Sequence, residues 1–169
     1  MTITINGTGT ITGITAGGLP DAIITQPDLA ANVAGNGPAF SAYQSATQTL
    51  SSGTVTKILF QSEEFDTNNN FASSTFTPTV AGYYQIQGSL SIPAASNAGE
   101  IQMYVYKNGG LYKSSFNQTA VTRIAQTSCL VFCNGSTDYI EIYIYLAVGG
   151  TTSVQQAYTF FQASMVRGA

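Results

Sequence analysis

The stretch Asp138-Tyr139-Ile140-Glu141-Ile142-Tyr143-Ile144-Tyr145-Leu146 alternates without a break. In a β-strand successive side chains point to opposite faces. One face then carries Ile140, Ile142, Ile144 and Leu146, and the other Tyr139, Glu141, Tyr143 and Tyr145. A strand buried on one side puts aliphatic residues inside and charge or Thr outside. Here the second face is aromatic, which is the mark of a contact surface. The plainer reading is that Tyr covers a β surface because it suits strands.

The same design extends outward along the chain. In 101–106, Ile101, Met103 and Val105 oppose Gln102, Tyr104 and Tyr106. In 83–92, Tyr84, Ile86, Leu90 and Ile92 oppose Tyr83, Gln85, Gln87, Ser89 and Ser91. Further candidate strands are 39–45, 54–60, 120–132 and 157–166, with 83–92, 101–107 and 138–148 as the clearest. Turn clusters separate them: Thr67-Asn68-Asn69-Asn70, 94–99, Asn108-Gly109-Gly110, Asn134-Gly135-Ser136 and Gly149-Gly150. Regular turns and no long helical stretch predict an all-β, antiparallel sandwich.

Composition agrees. Of 169 residues only 8% are charged, against about 25% in ordinary globular domains. The polar surface comes from 22 Thr, 16 Ser, 10 Asn and 12 Gln, which with 17 Gly favour strands and turns. A net charge of −3 with five scattered cations cannot neutralise many phosphates, so nucleic acid is excluded as a partner. No apolar run approaches the roughly 18 residues of a membrane span, so no membrane insertion is expected. With no His, the usual general base and metal ligand is missing. No cofactor and no metal are expected.

The remaining chemistry is sparse. Glu63-Glu64-x-Asp66 is the one carboxylate cluster. Sugar hydrolysis needs two carboxylates across a cleft, roughly 5–9 Å apart, and adjacent carboxylates read as a solvated loop. Catalysis is not expected. Asp66 to Asn70 echoes half a calcium loop, but Phe71 and Thr77 stand where an EF-hand needs Gly and Glu. A calcium site of another kind in that loop stays open. Cys129 and Cys133 would lie on one face of a strand, roughly 13 Å apart at about 3.3 Å per residue. A disulfide needs Cα atoms within about 7 Å, so both are read as free thiols, buried or interfacial.

Residues 1–38 differ from the rest: few aromatics, many Gly, Thr and Ala, and short alternating pieces at 2–5 and 10–12. Gln26 to Val33 suggests one or two helical turns capped by Asp28. The segment is too poor in large side chains for its own core. It is expected to be an extended arm, with 39–169 as the domain. Met1 to Asn6 has neither a basic nor an apolar signal region, so no secretory signal is expected. The sequons at Asn6, Asn117 and Asn134 are then read as chance.

A family resemblance rests on motifs spread along 39–167. These are Ala39-Phe40-Ser41-Ala42, Phe65-Asp66-x-Asn68, Phe71 and Phe76-Thr77-Pro78 leading into Gly82-Tyr83-Tyr84-Gln85-Ile86. They continue with Tyr106-Lys107-Asn108-Gly109, the Asn134-to-Tyr139 turn, and Phe160-Phe161-Gln162-Ala163-Ser164-Met165-Val166. In order and spacing the chain resembles the globular C1q-like domain, a relative of the tumour-necrosis-factor jelly roll. Gly135 and Asp138 stand apart where that family has adjacent Gly and Asp. The resemblance implies a ten-stranded jelly roll in a homotrimer around a three-fold axis. The residues expected at the trimer interface are Tyr83, Gln85, Tyr104, Tyr143 and Tyr145.

Residues 7–33, around Gly13-Ile14-Thr15-Ala16-Gly17-Gly18-Leu19-Pro20-Asp21, resemble segments that precede trimeric domains in bacteriophage tail and virion proteins. That likeness implies a non-enzymatic structural protein located in the virion and assembled in the host cytoplasm, which suits free cysteines. Two roles are expected. One is a capsid decoration, or cement, protein whose arm clamps the major capsid protein or other virion proteins through Ile3, Ile5, Ile11, Ile14 and Leu19. The other is a tail-fibre tip that binds a receptor on the host surface. A fibre carries a long shaft, and only 38 residues precede this domain. The cement role is the first expectation.

Overall fold

The computed structural model describes residues 30, 33–92, 99–118, 124–152, 154 and 156–169. After a 3-10 turn at Ala34–Asn36 come β1 (Ala39–Tyr43), β2 (Thr49–Leu50), β3 (Thr56–Lys57), β4 (Ser62–Asp66), β5 (Phe71–Ala72), β6 (Thr75–Phe76) and β7 (Ala81–Ser91). They are followed by β8 (Glu100–Lys107), β9 (Gly110–Gln118), β10 (Ile124–Asn134), β11 (Ile140–Leu146), β12 (Gly150–Thr151) and β13 (Phe160–Gly168). Sheet one runs β10-β7-β13-β1-β4; sheet two runs β5-β6-β11-β8-β9, with β3 also on β11. β12 pairs with β2 separately. Every pairing among the described residues is antiparallel. The fold is an antiparallel jelly-roll sandwich.

The alternation places the core. Ile140, Ile142, Ile144 and Leu146 of β11 are buried, as are Ile101, Met103 and Val105 of β8 and Tyr84, Ile86 and Leu90 of β7. The sheets approach most closely at Gly88. A Cβ there would stand 3.2 Å from Ile142 Cδ1 and 3.3 Å from Met103 Cε. Glycine at this point lets the larger side chains of sheet two fill the middle.

One end of the core is a phenylalanine cluster. Phe40 stacks on Phe71 at 4.6 Å, lies 4.7 Å from Phe76, and meets Phe161 edge-on at 4.9 Å. Tyr84 packs edge-on to Phe76, and its buried hydroxyl donates to Val80 O at 2.7 Å. Residues widely separated in sequence thus tie β1, the β5–β6 hairpin, β7 and β13 together. Such ring pairs add about 0.5–1.5 kcal/mol each beyond area burial.

A polar clamp holds the far corner. Asp138 accepts from Asn108 Nδ2 (2.8 Å) and Asn134 N (2.9 Å) and pairs with Lys107 Nζ (2.8 Å). It fixes the β10–β11 turn to the β8–β9 turn. Gly135 in that turn has φ +73°, and a Cβ would fall 2.3 Å from Ala81 N.

Two strands depart from the sequence reading. β9 follows the Asn108-Gly109-Gly110 turn where no strand was expected, because its Ser-rich edge position needs no buried alternating stripe. β4 occupies the acidic stretch read as a loop. Its pattern is exposed because it is the outer edge of sheet one. The 54–60 strand shortens to Thr56–Lys57. Most of the helical turn expected at 26–33 lies outside the described residues.

Candidate functional site

The outer faces of the two sheets differ in how their polar groups are used. On sheet two, Tyr106 stacks on Tyr143 at 4.2 Å and meets Tyr104 edge-on at 6.2 Å. Tyr104 OH donates to Gln102 Oε1, and Tyr143 OH donates to Glu141 Oε2. Glu141 also receives Lys57 Nζ at 2.7 Å and Thr75 Oγ1 at 3.0 Å. Burial pushes the Glu141 carboxyl up, but the Lys57 ammonium, Thr75 and Tyr143 outweigh it and hold it below its usual value. Burial raises the phenols of Tyr104 and Tyr143, with the Glu141 charge adding at Tyr143. This face is a closed network.

The outer face of sheet one is open. Registered across β10, β7 and β13 are Phe132, Tyr83 and Arg167, then Leu130, Gln85 and Ser164, then Ser128, Gln87 and Gln162. Tyr83, Leu130 and Phe132 are 40–50% exposed; Val166 at the β13 bulge and Phe65 on β4 are similarly bare. Tyr83 and Phe132 touch at 5.4 Å. Beside them lies the β9 edge, with Leu111, Tyr112 and Phe116 exposed and Tyr112 OH donating to Leu130 O. The charged groups, Arg167 and Glu64, stand toward the rim.

The five expected interface residues therefore do not form one surface. Tyr83 and Gln85 belong to the face of sheet one, whereas Tyr104, Tyr143 and Tyr145 belong to the face of sheet two, on the opposite side of the sandwich. Their β-alternation is as expected; strand order separated them. The exposed apolar groups of β9, β10 and β13 went unnoticed, because Leu130, Phe132 and Val166 look like core residues in sequence. Ile3, Ile5, Ile11, Ile14 and Leu19 lie outside the described residues.

The acidic stretch is occupied structurally. Glu64 accepts from the buried Ser41 hydroxyl and from Gln156 Nε2, which lower its carboxyl. Asp66 accepts from the backbone N–H of Phe71 at 2.7 Å and of Asn68 at 3.3 Å, so both oxygens serve the turn. No group of three or more His, Cys, Asp or Glu side chains suited to a metal occurs among the described residues. Cys129 and Cys133 are free and share the inner side of β10. Burial raises both thiols, Cys133 to about 12. Among the described residues, no helix is long and apolar enough to cross a membrane.

No family model and no curated protein matches the chain. Solved structures do. The globular domain of zebrafish complement 1qA matches with TM-score 0.57 at 15% identity, covering 79% of this chain and 100% of that one. Murine APRIL matches with TM-score 0.60 at 11% identity, over 76% and 98%. The PRD1 vertex protein P5 matches with TM-score 0.52 at 13% identity, over 77% and 73%. At these identities the likeness establishes the fold: a jelly roll of the C1q and tumour-necrosis-factor kind.

Proposed function

We propose that the chain is a non-enzymatic, homotrimeric structural protein of a bacteriophage virion, acting as a capsid decoration protein. The observation that carries the trimer is the bare face of sheet one with the adjacent β9–β10 edge. The two carry different apolar side chains. A contact of one protomer's edge with the next protomer's face is heterologous, and such contacts close into rings. Exposed Tyr83, Phe132 and Tyr112 are the aromatic anchors such an interface uses. The low charge avoids repulsion between packed copies. The closed tyrosine network of sheet two has no such need for a partner.

The capsid role rests on less: the short segment before the domain and the fold likeness to a vertex protein. Three arms on one trimer would attach with avidity well above that of one arm. β-Augmentation through Ile3, Ile5, Ile11 and Ile14 is the attachment proposed. Light scattering tests the trimer, with three times the 17.7 kDa chain mass expected. Tyr83→Glu with Leu130→Glu is expected to give monomers, and Tyr145→Glu to leave trimers. Monomeric wild type refutes the trimer. Deleting residues 2–33 and adding the product to undecorated shells tests the arm; undiminished binding refutes it. The second reading, a receptor-binding fibre tip, is favoured by one observation, an open pocket described next.

A further inference from the structure

We infer that a pocket on the outer face of sheet one, where β9 meets it, binds a neutral saccharide. Gln87, Ser114, Gln126, Ser128 and Phe160 line a cavity of about 400 Å³. That volume falls in the roughly 300–1,000 Å³ range of small-ligand pockets. No charged side chain lines it. An anionic sugar, phosphate or amine would bury its charge there without a counter-charge, and the net charge of −3 further disfavours anions.

Its polar groups are the kind a sugar needs. Amides and hydroxyls both donate and accept, as do the hydroxyls of a pyranose. The Gln87 and Gln126 amides and the Ser114 hydroxyl have no hydrogen-bond partner among the described residues. Their neighbours are committed: Gln85 Nε2 donates to Ser128 Oγ at 2.7 Å, and Ser115 Oγ donates to Gln126 O at 2.6 Å. So a braced frame carries three uncommitted polar groups around one ring. The half-buried Phe160 offers an apolar surface for the C–H side of a pyranose. A second cavity, of about 520 Å³, also reaches Phe160 and extends to Glu64 and Gln156. A ligand longer than one ring can cross the Phe160 side chain into it. Glu64 already accepts two hydrogen bonds there, which leaves its remaining lone pairs for sugar hydroxyls.

The pocket is built by a single protomer and does not depend on the trimer. The test titrates the full-length, isotope-labelled chain with methyl glycosides of glucose, galactose, mannose, N-acetylglucosamine and rhamnose. Glucuronic acid and sialic acid serve as charged comparisons, and light scattering is run on the same samples. The expected result is saturable shifts of the Gln87 and Gln126 side-chain amides with at least one neutral glycoside. Gln126→Ala and Gln87→Ala should each weaken binding about two- to tenfold, the effect of one lost neutral hydrogen bond. Gln102→Ala, on the opposite sheet, should change nothing. No saturable binding by any neutral glycoside overturns the inference, as does tighter binding of the charged sugars. Binding untouched by Gln87→Ala and Gln126→Ala also overturns it. If those variants instead dissociate the trimer and no sugar binds, the cavity belongs to the protein interface, and the saccharide site falls while the trimer stands. Saturable binding by a chain that scatters as a monomer leaves the pocket standing and removes the trimer.

Discussion

Replacing Asp138 with Ala removes the clamp between two turns. The side chain is only 10% exposed and holds three partners: Asn108 Nδ2, Asn134 N and Lys107 Nζ. A hydrogen bond to an ionised group contributes about 1.5–3 kcal/mol net. The Lys107 pair, 23% exposed on the lysine side, is worth about 1 kcal/mol or less. Because the three share one carboxylate, their losses do not add fully, and the total is about 3–5 kcal/mol. At about 2–4 °C per kcal/mol for a chain of this size, the melting temperature falls by roughly 6–20 °C. The acid limb gives a second reading. Asn108 and Lys107 hold the Asp138 carboxyl below its usual value. A group whose folded pKa is lowered stabilises the fold above its unfolded pKa, about 3.9, and loses that contribution as pH falls through the folded value. Wild type should therefore lose its advantage over Asp138→Ala as pH drops from about 5 toward 2. Glu64 and Glu141 are also lowered, but they are present in both proteins and cancel in the difference. Scanning calorimetry from neutral pH to pH 2 is the assay. A variant melting within about 1 °C of wild type at neutral pH, with a difference flat in pH, would refute the clamp.

Phe40→Ala opens a cavity among Phe71, Phe76 and Phe161 and should cost about 3–5 kcal/mol in denaturant unfolding. Tyr84→Phe leaves the ring in place and removes the bond to Val80 O, for a loss of about 1 kcal/mol by the same measurement. Gly135→Ala must force a left-handed residue against Ala81, so a loss above about 1–2 kcal/mol is expected, greater than for Ser136→Ala. Iodoacetamide at pH 8 should label Cys129 faster than Cys133, whose thiol is buried with a pKa of about 12; equal rates in the native protein would contradict the burial.

The core faces of the sheets were legible because the period of two is local. Ile140 to Leu146, Ile101 to Val105 and Tyr84 to Leu90 announce their inner sides within single segments, and each is buried accordingly. The free thiols followed from the same geometry. β4 and β9 were not legible, because edge strands meet solvent and lose the apolar alternation that marks a strand. Half of the expected interface was assigned to the wrong company for another reason. Tyr83 and Tyr143 look alike in sequence, each outward on an alternating strand, and nothing local says which sheet a strand will join.

By itself the sequence determined an antiparallel β-sandwich of low charge, with aliphatic inner faces and outer faces of Tyr, Gln and Ser. It also determined the phenylalanines that close the ends of the core, since only burial repays so many large rings. The tertiary structure alone decided the rest. It set Tyr104 and Tyr143 in a network that satisfies itself, and it left Tyr83, Leu130 and Phe132 bare. It gathered Gln87, Gln126, Ser114 and Phe160 from four strands around one pocket. The physical reason is that side-chain direction is set by neighbouring residues along a strand, whereas strand order is set by long-range pairing. A face or a pocket exists only after β7, β10 and β13 have found one another across the chain.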